Sequence, residues 1–275
     1  MSASASANEP SARERRAFVW KKLHSLTGVF PVGAFLVLHL WANAHALQGQ
    51  GAFDAAMGGG AERPHTLLLE LFGIALPLAF HALYGLGVLW RGRPTLRGHR
   101  SARYSAYVLQ RVTGLMVLAF VVYHVYELRL APAALAPADR FPGLCELFSS
   151  GVGGVPVRAI LYLLALAAAT YHLANGLRGF CASWGVTGSR RAGRIVGAVA
   201  AVGGLALFLL GATTVVYFST GLRLAADLGA REDLPPRLDC ADSLPAAAPL
   251  APVASPTPPG PRAPATTRRR PERRP

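Results

Sequence analysis

The chain has 275 residues, of which 52% are hydrophobic and only 15% are charged, and its formal net charge is +14. Soluble domains are usually richer in charge, so this composition argues against an ordinary soluble protein. The positive charge lies in short loops and in the C-terminal tail, with no basic fold interleaved with aromatic residues. The pattern indicates membrane topology and contact with anionic lipid, and it argues against a nucleic-acid partner.

Five apolar runs follow one another along the chain, at about residues 23–47, 66–90, 106–130, 156–182 and 195–220. Each is long enough to cross the hydrocarbon core of a bilayer as a helix, which takes about 20 residues. Apolar and polar residues do not alternate within the runs, as they would in strands of a barrel. Only helices and closed barrels satisfy their backbone hydrogen bonds in lipid, so helices remain. The sequence therefore predicts an all-α membrane protein with a bundle of five transmembrane helices.

Composition divides the chain into three regions. Residues 1–21 are polar and lack the apolar core of a signal peptide, so the first run is expected to be an uncleaved span. Residues 22–220 form the membrane domain, and residues 221–275 form a tail rich in Pro, Ala and Arg that is expected to be disordered. The three cysteines form no CxxC pair, which argues against an iron–sulfur cluster, structural zinc and covalently attached haem.

Basic residues predict the orientation. Fourteen lysines and arginines lie before the first run, or in and beside the connections between the second and third and between the fourth and fifth runs. Only four lie in and beside the two opposite connections. We expect the chain to lie in a bacterial inner membrane. The positive-inside rule then places its N-terminus on the cytoplasmic side and its C-terminus outside. The arginines that end the tail lie too far from the last span to count, since the rule weakens beyond about 15–20 residues.

A histidine lies deep inside each of the first four runs, away from the run ends: His39, His81, His124 and His172. At about 1.5 Å per residue, their distances from the flanking basic residues place His81 and His172 in the inner half of the membrane and His39 and His124 in the outer half. A haem iron held by two imidazoles needs one on each face, from facing helices at one depth. The pattern predicts an inner and an outer haem, whereas a single histidine would be read as an interhelical hydrogen-bonding residue.

Small and polar residues accompany these histidines. A glycine follows each inner histidine on the same helix face, where it would leave room for a flat macrocycle: Gly85 and Gly176. Counted along unbroken helices, His24 and Ser25 share the helix face of His39, and Gln110 shares that of His124, all three near the cytoplasmic edge. They are candidates for contacts to the propionates of the inner haem, and the alternative is helix capping and interfacial solvation.

Glu70 is an acidic residue at the start of the second run. It precedes His81 on nearly the same helix face and lies about 16 Å further out, at the level of the outer pair. There it is a candidate donor or acceptor of the proton that quinone chemistry requires. The alternative is a charge favoured by the dipole at a helix start.

Four segments carry a resemblance to a known family: KKLHSLTGVFPVGAFLVLHL, LLELFGIALPLAFHALYG, YVLQRVTGLMVLAFVVYHVYEL and YHLANGLRGFCASWGVT. They resemble the cytochrome b membrane-anchor subunit of succinate dehydrogenases and fumarate reductases, of the single-chain, five-helix, two-haem type associated with menaquinone. The resemblance covers about residues 18–220, and the tail has no counterpart in it.

The resemblance implies that His81 and His172 ligate the proximal haem b and that His39 and His124 ligate the distal one. It also implies a flavoprotein and an iron–sulfur protein as partners, and a quinone as substrate. Some fumarate-reducing relatives carry a proton-carrying glutamate at the position that Thr170 occupies here, so the sequence argues against that proton route.

Three functions remain open from the sequence. The first is the dihaem anchor of a succinate:menaquinone oxidoreductase, and the second is the same subunit in a quinol:fumarate reductase. The third is a haem-free transporter or proton channel with a histidine relay, against which stands the lack of inverted repeats and of broken helices.

Overall fold

A computed structural model describes residues 11–58, 67–91, 102–131, 140–152 and 154–222. Over these ranges the backbone is almost entirely helical, apart from turns and an isolated bridge between Val152 and Val155. The tail predicted for 221–275 lies outside the described residues except for Gly221 and Leu222, as do residues 1–10 of the N-terminal segment.

Five helical segments in the described ranges are long and apolar enough to cross a membrane: Ala12–Gln48, Leu69–Arg91, Tyr104–Leu130, Val157–Ser183 and Arg190–Thr220. They coincide with the five predicted runs, which confirms the all-α membrane fold. Large apolar side chains such as Leu38, Trp90 and Val199 are exposed on these spans, as expected of helices that face lipid.

Eight α-helices build the described part of the chain: α1 (Ala12–Val29), α2 (Val32–Ala44), α3 (Gln50–Ala56), α4 (Leu76–Arg91), α5 (Ala102–Val125), α6 (Arg140–Ser149), α7 (Val157–Ser183) and α8 (Arg190–Thr220). Ser11 and Glu14 form a capping box that starts α1 within the polar segment, before the apolar run begins. Helix α7 packs against α8, α5 and α1, and α1 also packs against α4.

The first span is broken between α1 and α2. Helix α1 ends at Val29, Phe30 has extended backbone angles, and α2 begins after Pro31. Proline lacks an N–H and clashes with the preceding turn, so a helix ends readily at this place. The expectation of unbroken spans is therefore wrong for the first one, and helical counts do not carry across the break.

Glycines let α8 approach α7 closely. A Cβ added at Gly204 would lie 2.8 Å from the Cβ of Ala174, and one at Gly211 would lie 2.7 Å from Cδ2 of Leu166. Lipid tails are as apolar as the side chains, so the hydrophobic effect does not drive helices together within a membrane. Small residues at the contacts let the backbones approach closely and gain van der Waals packing instead. Helix α8 carries no histidine, so it supports α7 from behind rather than building the histidine sites.

A cluster of buried apolar side chains lies at the end of the bundle predicted to face outward. The short helices α3 and α6 pack there with the ends of α7 and α8, around the buried side chains of Phe53, Phe141, Cys145, Phe148 and Phe218. Two π-helical segments lie at the same end, Leu69–Ala75 before α4 and Tyr126–Leu130 after α5. π-Helical turns are often found at functional sites.

Candidate functional site

The inner histidine pair joins α4 and α7. The rings of His81 and His172 have centres 6.3 Å apart and planes at 88°. Two imidazole nitrogens at about 2 Å from one metal atom put the ring centres roughly 6 Å apart. The spacing therefore suits one metal atom between the rings.

The outer histidine pair joins α2 and α5 in the same way. The rings of His39 and His124 have centres 5.9 Å apart and planes at 86°. The structure thus brings the four histidines together in two pairs, with the same partners that depth along the spans suggests. Each pair takes one histidine from each of two different spans.

Hydrogen bonds fix which ring nitrogen each inner histidine offers. Nδ1 of His81 lies 3.0 Å from the carbonyl of His24, and Nδ1 of His172 lies 3.1 Å from the carbonyl of Gln110. A carbonyl accepts only, so each Nδ1 carries the proton and donates it. Both Nε2 atoms are then free to bind a metal, which is the usual arrangement of a metal-bound histidine.

The outer pair is held less symmetrically. Nδ1 of His124 lies 3.2 Å from the hydroxyl of Tyr162, which again leaves Nε2 free. His39 instead has its Nε2 at 3.5 Å from the Asn43 amide nitrogen, one turn further along α2. That amide also donates to the His39 carbonyl at 2.8 Å.

Two glycines that the sequence argument missed lie directly against the inner pair. A Cβ at Gly28 would lie 2.3 Å from Cε1 of His81, and one at Gly114 would lie 2.9 Å from Cε1 of His172. The predicted glycines have other neighbours, since Gly85 faces the ring of His24 at 3.2 Å. Gly176 faces the amide of Gln110 at 3.5 Å. The missed glycines come from neighbouring helices, which sequence spacing within one helix does not reveal.

His24 lies beside the inner pair and not beside His39. Its ring stacks on that of His81 with centres 4.2 Å apart and planes at 13°. Its Nδ1 is buried and has no hydrogen-bond partner among the described residues. A buried donor or acceptor without a partner is costly, so this atom indicates a polar group that belongs in the site.

Ser25 and Gln110 already have protein partners. The Ser25 hydroxyl donates to the carbonyl of Lys22 at 2.9 Å and accepts from the Trp184 indole at 3.1 Å. The Gln110 amide donates to the carbonyl of His172 at 3.1 Å. Both residues tie spans together at the inner level.

A short polar chain continues from Gln110 toward the C-terminal end of α7. The Asn175 amide donates to Oε1 of Gln110 at 2.8 Å. Arg178 in turn donates to Oδ1 of Asn175 at 3.1 Å. Sequence reasoning passed over Asn175, although a polar residue one turn after a buried histidine is a usable signal.

Glu70 lies at the outer end, on the first of the two π-helical segments. Its carboxylate forms an ion pair with Arg129 at 3.2 Å, and the two side chains are 46% and 52% exposed. The contact joins the second span to the third. A different carboxylate, that of Glu127, reaches the outer histidine pair through Tyr162.

Thr170 is buried where α7 meets α8. Its hydroxyl donates to the carbonyl of Leu166 at 2.9 Å, within its own helix. A Cβ at Gly204 would approach the Thr170 carbonyl to 3.2 Å. Thr170 is therefore part of the buried contact between α7 and α8 in the described structure.

Taken together, fold and site define a multi-pass helical membrane protein whose bundle holds two perpendicular histidine pairs at two depths. A family model described as succinate dehydrogenase/fumarate reductase transmembrane subunit matches residues 92–211. The succinate dehydrogenase cytochrome b558 subunit of Bacillus subtilis (strain 168) is 35% identical over 203 residues, which is 74% of this chain and 98% of that protein. No solved structure matches the chain. The chain belongs to the family of cytochrome b membrane subunits of succinate dehydrogenase and fumarate reductase, as the sequence resemblance predicts.

Proposed function

We propose that this chain is the dihaem cytochrome b anchor of a succinate:menaquinone oxidoreductase. The observation that carries the proposal is that two histidine pairs lie at two levels of one bundle. Within each pair the rings are perpendicular, with centres 6.3 Å apart in one pair and 5.9 Å apart in the other. Two b-type haems, when bound, supply one-electron transfer from the inner level to the outer level and on to a quinone.

The residues present fit these groups. His81 and His172 would bind the inner iron, and His39 and His124 the outer iron. In three of the four, the hydrogen bond at Nδ1 leaves Nε2 for the metal. Gly28 and Gly114 keep the space in which the inner imidazoles lie.

Polar residues at the inner level would hold the haem propionates. His24 is the strongest candidate, because its buried Nδ1 lacks a partner among the described residues. Ser25 and Gln110 remain candidates, although each already bonds to protein groups. Arg178 would add a positive charge at the cytoplasmic end of the same polar chain.

In the proposed orientation, the basic connections face the cytoplasm of a bacterium and the tail lies outside the inner membrane. The inner face would dock an iron–sulfur subunit, which carries electrons from a succinate-oxidising flavoprotein. Lys22 supports a rigid docking surface there. It donates to the Ser183 carbonyl and lies 4.8 Å from the Trp184 ring, which ties α1 to the end of α7.

The quinone would react at the outer level, close to His39, His124 and Glu70. Menaquinone is a poor electron acceptor for succinate, so its reduction needs a driving force. Negative charge that moves outward across an energised membrane gains about 2.3 kcal/mol per charge per 100 mV. Protons taken up from outside would complete that charge movement, with Glu70 as a candidate donor at the exposed rim.

A spectroscopic haem count tests the proposal. The complex is purified from detergent-solubilised membranes, and a reduced-minus-oxidised spectrum is combined with a pyridine haemochrome assay. We expect b-type bands and two haems per chain. A chain without a b-type band would contradict the proposed function and revive the transporter or channel alternative.

A further inference from the structure

Glu127 is a carboxylate enclosed near the outer histidine pair. It lies on the π-helical segment Tyr126–Leu130 that follows α5, one turn beyond His124. Its side chain is only 14% exposed, whereas that of its ion-pair partner Arg158 is 46% exposed. An ionisable residue at this depth is costly to retain, which marks it for a function.

Three donors converge on this carboxylate. The Tyr162 hydroxyl donates to Oε2 at 3.0 Å, and the Tyr123 hydroxyl donates to Oε1. Arg158 Nε lies 3.2 Å from Oε1. Every partner is a donor, so the arrangement fits the ionised carboxylate, which accepts and has no proton to give.

Tyr162 connects this carboxylate to a predicted iron ligand. A hydroxyl has one proton, and that of Tyr162 points to Glu127. Its oxygen therefore accepts the Nδ1 proton of His124, at 3.2 Å. The two histidines of the inner pair differ, because their Nδ1 atoms donate to neutral backbone carbonyls of His24 and Gln110.

Aromatic side chains shield this chain of hydrogen bonds. Phe120 lies 5.5 Å from the ring of His124 and 4.9 Å from that of Tyr162. Phe148 of α6 packs edge-on against Tyr162 at 4.7 Å. Charge and hydrogen bonding act more strongly in such apolar surroundings than in water.

We propose that Glu127, acting through the hydroxyl of Tyr162, positions the His124 imidazole and lowers the reduction potential of the outer haem. A carboxylate at the far end of the hydrogen bond makes the imidazole a stronger electron donor, which stabilises the oxidised iron. Arg158 moderates the effect by partly balancing the carboxylate charge. The inference rests on the proposed function, because it presupposes haem at the outer pair.

Potentiometric titration of the whole complex tests this role, with haem absorbance as the readout. The outer transition is first assigned as the one that His39→Ala abolishes. Glu127→Gln and Tyr162→Phe should each raise the potential of that transition, and the double variant should shift it no further than Glu127→Gln alone. Arg158→Gln should lower it, since the carboxylate then loses its counter-charge. The inner transition should stay in place throughout.

Glu146→Gln is the matched control, because Glu146 is an exposed carboxylate on α6 at the same end of the bundle. It should leave the outer potential unchanged. An outer transition that Glu127→Gln does not move, or a shift shared equally by both haems, would overturn the inference. If Glu127→Gln assembles without the outer haem, Arg158→Gln decides, and an unchanged potential there overturns it. Wild-type complex with fewer than two haem transitions would instead contradict the proposed function itself.

Discussion

The imidazole ring of His81 stands at 88° to that of His172, with ring centres 6.3 Å apart. The outer pair repeats the relationship at 86°. If each pair holds a haem iron as proposed, perpendicular imidazoles would donate into different iron orbitals and leave these nearly equal in energy. We therefore expect both oxidised haems to give highly anisotropic low-spin signals in electron paramagnetic resonance of the complex. Ordinary rhombic signals from both haems, as parallel imidazole planes produce, would contradict this geometry.

Gly28 and Gly114 should be intolerant of a methyl group. Alanine at either position would bring its Cβ to 2.3 Å from Cε1 of His81 or 2.9 Å from Cε1 of His172. Because both imidazoles are anchored at Nδ1, they would have to turn away from the metal position. We expect each variant to lose most of the inner haem while the outer haem is retained, measured by redox titration and haemochrome assay.

Gly87→Ala is the control for that experiment. Gly87 lies on α4 like His81, but a Cβ there would meet nothing within 4 Å. Alanine in a helix interior is favoured over glycine by roughly 0.5–1 kcal/mol, so this variant should assemble normally with two haems. Equal haem loss in Gly87→Ala and Gly28→Ala would show that packing against the imidazole is not the cause.

Reporter fusions should reveal the orientation. The excess of basic residues on one set of connections predicts that a reporter placed after Gly221 registers outside and that one placed in the 91–103 connection registers inside. An alkaline phosphatase and a fluorescent protein fused at each position give opposite readouts. The reverse pattern would mean that the chain has the opposite orientation in the membrane, so that the inner and outer haems exchange sides.

Collapse of the membrane potential should slow succinate oxidation by menaquinone. Charge moving outward gains about 2.3 kcal/mol per 100 mV, so an uncoupler removes part of the driving force. The rate is followed in coupled vesicles with menaquinone as acceptor. As a control, it is followed with a soluble dye that accepts electrons before they enter the membrane subunit. The dye rate should not change, and equal insensitivity of both rates would remove the argument for an outer quinone site.

The spans and the histidine levels could be predicted from sequence because both depend on distance along one helix. Apolar run length sets the span, and the rise per residue sets the depth of each histidine. The inner and outer partners follow from these numbers without any knowledge of how the helices pack.

The surroundings of the histidines could not be predicted in the same way. The break at Phe30 and Pro31 cancels the helical count that places His24 on the face of His39, and His24 stacks on His81 instead. The π-helical segment around Glu70 likewise shifts its phase relative to α4. The contacts of Glu127 depend on how the third span packs against the fourth, which supplies Tyr162 and Arg158, so only the packed structure reveals them.

Haem content of single histidine variants tests the central claim most directly. Complexes carrying His39→Ala, His81→Ala, His124→Ala or His172→Ala are purified, and haem per chain is counted by the pyridine haemochrome assay beside wild type. We predict two haems in wild type, loss of the inner redox transition in the His81 and His172 variants, and loss of the outer one in the His39 and His124 variants. Two haems retained by both variants of either pair would contradict it.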